Sequence, residues 1–265
     1  MKKYLVVGNP IEHSLSPSLH NYWIKKNNID AIYEKQKIEE NELKNLVLQV
    51  KEKKINGFNV TVPFKKVIIP YLDELSREAQ ETQSVNTIYL NGDKTIGHNT
   101  DIEGFELSIN ESQFNITNKK ILILGAGGVV PSIIFALLKM KSSKIILCNR
   151  SRDKAEILKR LFHNLTIVDW GKVIDFDMVI NATSVGLKKD DLMNLDFSKA
   201  GNSKFFYDVI YNPGETDFLR KGKKLNNKIQ NGKKMFIYQA MASFKIWHGV
   251  QPTIDDKVLE IFKND

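Results

Sequence analysis

The stretch KILILGAGGVVPSIIFALLKM, from Lys120 to Met140, is the strongest indication of how this chain folds. It predicts a buried strand over Lys120–Leu124, a tight turn over Gly125–Gly128 and a helix over Val129–Met140. A glycine-rich turn between a strand and a helix lets the backbone approach a pyrophosphate, and the N–H groups at the helix start can bind it. The motif alone is weak evidence, and Val130 stands where the usual pattern has a small residue. Its placement between a strand and a helix nevertheless predicts a dinucleotide site.

The next predicted strand, Lys144–Cys148, ends in a basic segment. A site for NAD has an acidic residue at this point, which binds the ribose hydroxyls. This chain has Asn149, Arg150, Ser151 and Lys154 there instead. Arginine can bind a phosphate with two hydrogen bonds, so the segment favours NADP over NAD. The alternative is a solvated basic helix start with no ligand.

The first hundred residues alternate strand-like and helix-like runs, which indicates an α/β domain with a mainly parallel sheet. The predicted strands are Tyr4–Gly8, Ala31–Ile38, Ile55–Val62, Val85–Leu90 and Lys94–Gly97. The predicted helices are Pro17–Asn27 with Ser16 as its N-cap, Asn41–Lys53, and Pro63–Tyr71. Asn-Gly-Asp at 91–93 predicts a hairpin that places Asn86 roughly opposite His98.

Polar side chains follow these strands where an α/β sheet binds its ligands. Lys65 follows Pro63, and Asp101 follows the hairpin. A lysine, a carboxylate and a nicotinamide site together suggest carbonyl–alcohol redox chemistry. Each residue also has a simpler interpretation: Lys65 as a surface lysine and Asp101 as a helix cap. Ser14 and Ser16 could bind a carboxylate or cap a helix.

Composition excludes several classes of protein. The chain has 265 residues, 42% of them hydrophobic, which suits two modest folded domains. A single cysteine, Cys148, excludes a disulfide framework and suits a cytoplasmic enzyme. The net charge of +8 comes from dispersed lysines without a basic stripe, so we predict no nucleic-acid partner. Residues 121–138 carry no charge, but their glycines and proline argue against a membrane span. The histidines lack metal-ligand spacing, so we predict no metal.

Further motifs run through nearly the whole chain and strengthen this interpretation. They are Gly8–Pro17, Asn59–Lys65, Val85–Thr87, Asn99–Asp101, Gly125–Gly128, Asn149–Ser151, Asn181–Leu187, Asp208–Pro213 and Met235–Ala240. In this order, the set resembles the shikimate dehydrogenase family. As a set the motifs are specific, although the glycine-rich turn alone is not.

The resemblance implies a fold and a set of functional residues. The fold is an N-terminal α/β substrate domain, residues 1–102 and 236–265, and a Rossmann NADP-binding domain, residues 103–235, with a cleft between the domains. Lys65 and Asp101 match the catalytic pair. The residues that match substrate contacts are Ser14, Ser16, Thr61, Asn86, Tyr211 and Gln239. The residues that match cofactor contacts are Gly125, Ala126, Gly127, Gly128, Val129, Asn149, Arg150, Ser151, Lys154, Val209 and Gly232.

The resemblance also implies a reaction, the NADPH-dependent reduction of 3-dehydroshikimate to shikimate in the pathway to chorismate and the aromatic amino acids. Two alternatives remain: a quinate/shikimate dehydrogenase that uses NAD or both cofactors, and a non-catalytic NADP-binding sensor. The sequence leaves monomer and homodimer open. Departures from the family pattern at Val130-Pro131 and Lys233-Lys234 bear on cofactor binding and domain closure.

Overall fold

The structure is a computed structural model that describes residues 1–188 and 190–262. The chain divides into two compact units. One contains Met1–Glu103 and the segment that begins at Tyr238, and the other contains Gly104–Ile237. No helix within the described ranges is long and apolar enough to cross a membrane.

Helices and strands alternate along most of the chain. The first unit contains β1 (Lys2–Gly8), α1 (Ser16–Lys26), β2 (Ala31–Lys37), α2 (Leu43–Lys51), β3 (Gly57–Val60), β4 (Glu74–Leu75), α3 (Arg77–Thr82), β5 (Thr87–Asn91) and β6 (Lys94–His98). Helix α4 (Asp101–Glu111) leads into the second unit, which contains β7 (Lys120–Leu124), α5 (Val130–Lys139), β8 (Lys144–Asn149), α6 (Arg152–Leu161), β9 (Leu165–Asp169), β10 (Met178–Asn181), β11 (Phe205–Asp208), α7 (Asp217–Lys224) and β12 (Lys228–Gln230). Helix α8 (Lys233–His248) leads back to the first unit, which ends with α9 (Asp256–Glu260).

The sheet of the first unit has the strand order β2-β1-β3-β5-β6-β4. Strand β1 pairs in parallel with β2 and β3, and β4 pairs in parallel with β6. The pairs β3–β5 and β5–β6 are antiparallel. Three of the five pairings are therefore parallel, and the two-residue β4 forms a short edge.

Both faces of this sheet are buried. Leu5 and Val7 of β1 lie in one cluster with Leu46 and Val50 of α2, whose apolar residues recur at helical spacing. On the opposite face, the ring of Tyr4 lies 5.0 Å from that of Trp247, in α8. Burial of both faces explains why β1 is continuously apolar over residues 4–7 rather than alternating.

The sheet of the second unit has the order β12-β11-β10-β7-β8-β9, and every neighbouring pair is parallel. Numbered within the unit, this is the 3-2-1-4-5-6 order of a dinucleotide-binding sheet. The predicted α/β class is therefore confirmed, and β7 lies beside the point where the strand order reverses.

Three local predictions were wrong. Ser16 does not cap α1, because the helix begins at Ser16 itself and Leu15 occupies the N-cap position. The segment Pro63–Tyr71 is a series of turns that ends in a 3₁₀ helix at Ile69–Tyr71, because most of its hydrogen bonds join residues three apart and a second proline follows at 70. In the hairpin, Thr87 rather than Asn86 pairs with His98, because the turn contains only two residues.

Candidate active site

Lys65 and Asp101 form an ion pair in the first unit. Lys65 lies in the turns after β3, Asp101 begins α4, and Lys65 Nζ donates a hydrogen bond to Asp101 Oδ2. Their side chains are only 13% and 7% exposed. The pair therefore presents an ammonium group that is held in one place and largely shielded from water.

Asn86 orients the carboxylate of this pair. The backbone N–H of Thr100 donates to Asn86 Oδ1 at 2.8 Å. A backbone N–H can only donate, so the amide oxygen must face it and the amide nitrogen must point the other way. Asn86 Nδ2 accordingly donates to Asp101 Oδ1 at 3.0 Å. Asp101 is thus bound through both oxygens, one by Lys65 and one by Asn86.

A buried polar network lies behind Asn86, and sequence reasoning gave its members no role. Asn59 Nδ2 lies 2.9 Å from the carbonyl oxygen of Asn86 and 3.1 Å from Ser243 Oγ. Ser243 Oγ also lies 2.9 Å from Thr87 Oγ1 and 3.1 Å from Thr100 Oγ1. One signal could have identified Ser243: it follows Gln239 by four residues and so shares its helix face.

His20, which contacts this network through Tyr33, is not available for proton transfer. Burial lowers the pKa of His20 to about 3, and its ring stacks on Tyr33 at 4.1 Å between centroids. The hydroxyl of Tyr33 donates to Asn59 Oδ1 at 2.6 Å, and burial raises the pKa of this tyrosine well above its usual value. Both groups are therefore uncharged at neutral pH.

The other residues predicted to contact substrate are spread over both units. Gln239 Oε1 lies 3.4 Å from Asn86 Nδ2, so the structure brings it to the pair. Ser14 Oγ accepts from the N–H of Ser16 at 3.4 Å, at the start of α1. Thr61 is half-buried just after β3. Tyr211 belongs to the second unit, where its ring lies 4.7 Å from that of Phe236.

The glycine-rich turn follows β7 in the second unit. Gly125 has φ +104°, and a Cβ there would lie 2.7 Å from the carbonyl oxygen of Ala182, so only glycine fits. Gly127 and Gly128 are exposed, and Ala126 is half-buried. Helix α5 begins at Val130, and its N-cap residue Val129 provides no side-chain hydrogen bond. The first N–H groups of α5 thus have no side-chain cap, as a pyrophosphate site requires.

The basic segment after β8 combines an exposed arginine with a helix start. Arg150 is exposed and has no carboxylate partner within the described part of the chain. Arg152, by contrast, forms an ion pair with Asp169 at 3.0 Å. Ser151 is the N-cap residue of α6, and Lys154 lies exposed in its first turn. Asn149 Nδ2 donates to the carbonyl oxygen of Ser151 at 2.6 Å. This arrangement can bind a phosphate group.

Val209 and Gly232 pack closely in the same unit. A Cβ on Gly232 would lie 2.0 Å from the carbonyl oxygen of Val209, and the N–H of Gly232 donates to Ile210 at 3.0 Å. Any side chain at position 232 would therefore push these two backbone segments apart. In the described ranges, no group of three His, Cys, Asp or Glu side chains could hold a metal ion.

Two family models match the chain. One describes the shikimate dehydrogenase substrate binding domain and matches residues 6–88, and the other describes shikimate / quinate 5-dehydrogenase and matches residues 108–215. A shikimate dehydrogenase (NADP(+)) of Pelagibacter ubique is 56% identical over 98% of both chains.

Solved structures of this family are similar over almost the whole chain. Shikimate 5-dehydrogenase of Thermus thermophilus, in complex with NADP(H) and shikimate, has a TM-score of 0.90 and 29% identity and covers 99% of both chains. Shikimate 5-dehydrogenase of Listeria monocytogenes, in complex with shikimate and NAD, has a TM-score of 0.91 and 27% identity, over 98% of this chain and 96% of its own.

Proposed function

The chain belongs to the shikimate dehydrogenase family, and we propose that it reduces 3-dehydroshikimate to shikimate with NADPH and catalyses the reverse oxidation. One observation carries this proposal: the largely buried Lys65–Asp101 pair, whose carboxylate Asn86 orients. A protein that only sensed NADP would have no use for a positioned ammonium group, so the pair argues against the sensor alternative.

Lys65 would manage the proton of the reaction. NADPH supplies the hydride when it is bound. The ammonium group of Lys65 would donate a hydrogen bond to the C3 carbonyl oxygen, stabilise the negative charge that develops there, and give it a proton. Asp101 keeps Lys65 in place through their ion pair. In the reverse direction, Lys65 would take the proton back from the hydroxyl.

The start of α1 offers a site for the substrate carboxylate. Ser14 and Ser16 lie there, and the N-cap residue Leu15 has no side-chain group that would compete with a ligand for the start of the helix. Two hydroxyl groups and the positive end of a helix dipole favour an anion. Gln239, 3.4 Å from Asn86, and Thr61, just after β3, would contact the ring hydroxyls.

The second unit fits NADP. The turn at Gly125–Gly128 requires glycine at its first position and leaves the start of α5 without a side-chain cap. Arg150 is exposed beside the start of α6 and has no carboxylate partner among the described residues, which suits the additional phosphate of NADP. We propose Ser151 and Lys154 as further contacts to this phosphate, and Val209 and Gly232 as positions near the nicotinamide.

The test is an absorbance assay at 340 nm with shikimate or quinate, each paired with NADP or NAD. We expect the protein to reduce NADP with shikimate and to show no comparable activity with the other three pairs. Activity with quinate, or with NAD as strong as with NADP, would favour the quinate/shikimate alternative. Inactivity with all four pairs, in protein that binds NADPH, would favour the sensor.

A further inference from the structure

A buried carboxylate stands at the end of β11. Asp208 is fully buried, and no cation within the described residues lies near enough to pair with it. It instead accepts hydrogen bonds from three neutral donors: the N–H of Ile210 at 3.0 Å, the hydroxyl of Thr216 at 2.6 Å and the amide of Asn181 at 3.1 Å. A buried carboxylate without a cation is costly, so its presence calls for a reason other than net stability.

We propose that Asp208 is a positioning residue for the cofactor: it orients the amide of Asn181 and thereby holds loop 181–185 against the glycine-rich turn. This inference rests on the proposed function, because it assumes that the turn binds NADP. It gives a role to the motif that begins at Asn181, which neither the mechanism nor the predicted contacts explain.

The contacts allow the amide of Asn181 only one orientation. Its Nδ2 lies 3.1 and 3.2 Å from the two oxygens of Asp208 and 3.1 Å from the carbonyl oxygen of Val185. All three are acceptors. Its Oδ1 consequently faces the N–H of Thr183 at 3.1 Å and the hydroxyl of Thr183 at 2.7 Å. The hydroxyl oxygen of Thr183 in turn accepts from the N–H of Val185 at 3.0 Å.

The loop held in this way forms one wall of the glycine-rich turn. A Cβ on Gly125 would lie 2.7 Å from the carbonyl oxygen of Ala182 and 3.0 Å from Thr183 Cγ2. The N–H of Ala182 also donates to Leu124, the last residue of β7, at 2.8 Å. Because there is no free space at Gly125, a shift of the loop would move the turn as well.

An amide could not replace the carboxylate. Burial raises the pKa of Asp208 to about 6, so the group is still ionised at neutral pH. Both of its oxygens can then only accept, which matches the donors of Asn181, Ile210 and Thr216. In Asp208→Asn, the side chain keeps its shape, but its NH₂ group must face one of these donors. Asn181 Nδ2 lies 3.1 and 3.2 Å from the two oxygens, so whichever position the NH₂ takes, the amide of Asn181 loses one of its two contacts to residue 208.

The experiment measures the dissociation constant of NADPH by its fluorescence, together with thermal unfolding and kcat at saturating NADPH. It compares the full-length wild type with D208N, T183V and their combination. T183V preserves the shape of Thr183 against Gly125 and removes only the hydroxyl. The matched control is Y207F: Tyr207 precedes Asp208 in β11, is equally buried, and loses one hydrogen bond, to Ser108 at 3.0 Å.

We expect D208N to weaken NADPH binding about tenfold, as the loss of one buried hydrogen bond to a charged group predicts. T183V should weaken NADPH binding about threefold. The double variant should weaken it by less than the product of the two single effects, because both substitutions act through one chain of contacts. kcat at saturating NADPH should change by less than about twofold. Y207F should lower the unfolding temperature and leave the dissociation constant unchanged.

Other outcomes overturn the inference. If D208N unfolds more easily but binds NADPH as Y207F does, Asp208 serves only stability. If D208N does not fold, T183V decides, and an unchanged dissociation constant in T183V would refute the positioning role. If the wild type does not bind NADPH, the proposed function fails and this inference fails with it.

Discussion

Replacing Lys65 by methionine separates the chemical step from binding. Lys65→Met keeps the length of the side chain and removes its charge and its proton. A positioned general acid contributes about 10²–10⁴ to a rate, and this one would also stabilise the developing charge. We expect kcat to fall about a thousandfold, which corresponds to roughly 4 kcal/mol of transition-state stabilisation. The dissociation constant of NADPH should not change, because the glycine-rich turn and Arg150 belong to the other unit.

The same substitution has a cost in stability that can be calculated separately. Lys65→Met leaves Asp101, whose side chain is 7% exposed, with Asn86 as the remaining side-chain partner of its carboxylate among the described residues. Breaking one side of a buried ion pair costs about 3 kcal/mol or more, and the remaining bond to Asn86 keeps the value near that lower limit. Adding Asp101→Asn removes the stranded charge, so the double variant should recover most of the lost stability and none of the activity. Urea denaturation measures the first effect, and absorbance at 340 nm measures the second.

Lys65→Arg is the matched control, because arginine keeps the positive charge but does not release its proton. It should be as stable as the wild type and remain at least about a hundredfold slower. If Lys65→Met kept more than about a tenth of the wild-type kcat, Lys65 would not be the proton donor. An equal loss of NADPH affinity and kcat would also contradict a role of Lys65 confined to the chemical step.

Three further predictions concern the second unit. Arg150→Ala should weaken NADP⁺ binding about tenfold and leave NAD⁺ binding unchanged, as measured by calorimetry. Arg152→Ala is the control, because the guanidinium of Arg152 already has a carboxylate partner. It should change the affinity for either cofactor by no more than about twofold. Gly127→Ala should leave the unfolding temperature unchanged, because the new Cβ would lie 3.7 Å from the carbonyl oxygen of Ala182, an ordinary van der Waals distance. It should weaken NADPH binding if the turn holds the pyrophosphate. Unchanged NADPH binding would count against a pyrophosphate site at this turn. The pKa of Asp208 rises from 3.8 to about 6 on folding, so between these pH values only the native state holds the proton, and stability falls by up to about 3 kcal/mol as pH rises through this range. Urea titrations at pH 4.5 and 7 measure how much the free energy of unfolding changes between these pH values. The fall should be larger in the wild type than in D208N by most of this amount, and parallel pH dependence in the two proteins would refute the prediction.

The parts of the fold that sequence predicted well are those with local causes. The strand β7, its glycine-rich turn and α5 follow each other within twenty residues, and each has its own signal. The hairpin of β5 and β6 was predicted from its turn residues, although its register was one residue off, because a two-residue and a three-residue turn differ by one position in the pairing.

The elements that sequence missed have causes elsewhere in the chain. Helix α7 contains Gly222, which weakens its helical signal. A Cβ at this position would lie 2.6 Å from the ring of Phe206, so the close approach of the helix to β11 requires glycine here. The helix predicted at Pro63–Tyr71 was wrong for a local reason, because the prolines at positions 63 and 70 favour separate turns over one continuous helix.

The candidate site shows the same division. Lys65 and Asp101 could be selected from the sequence because each follows a strand. The contacts within the polar network behind them could not be predicted in this way. Asn59 and Ser243 lie 184 residues apart in the chain, and their 3.1 Å contact exists only because α8 packs on the sheet of the first unit. The four-residue spacing from Gln239 places Ser243 on the same helix face, but this spacing does not show which groups the buried hydroxyl contacts. Its hydroxyl reaches groups from β5 and from the residue before α4, so it helps to fix the amide of Asn86 that orients Asp101. The geometry of the pair is therefore set in part by Ser243, which lies outside the sequence motifs, and substitutions at Ser243 should act on kcat through Asn86 rather than through any contact of their own with substrate.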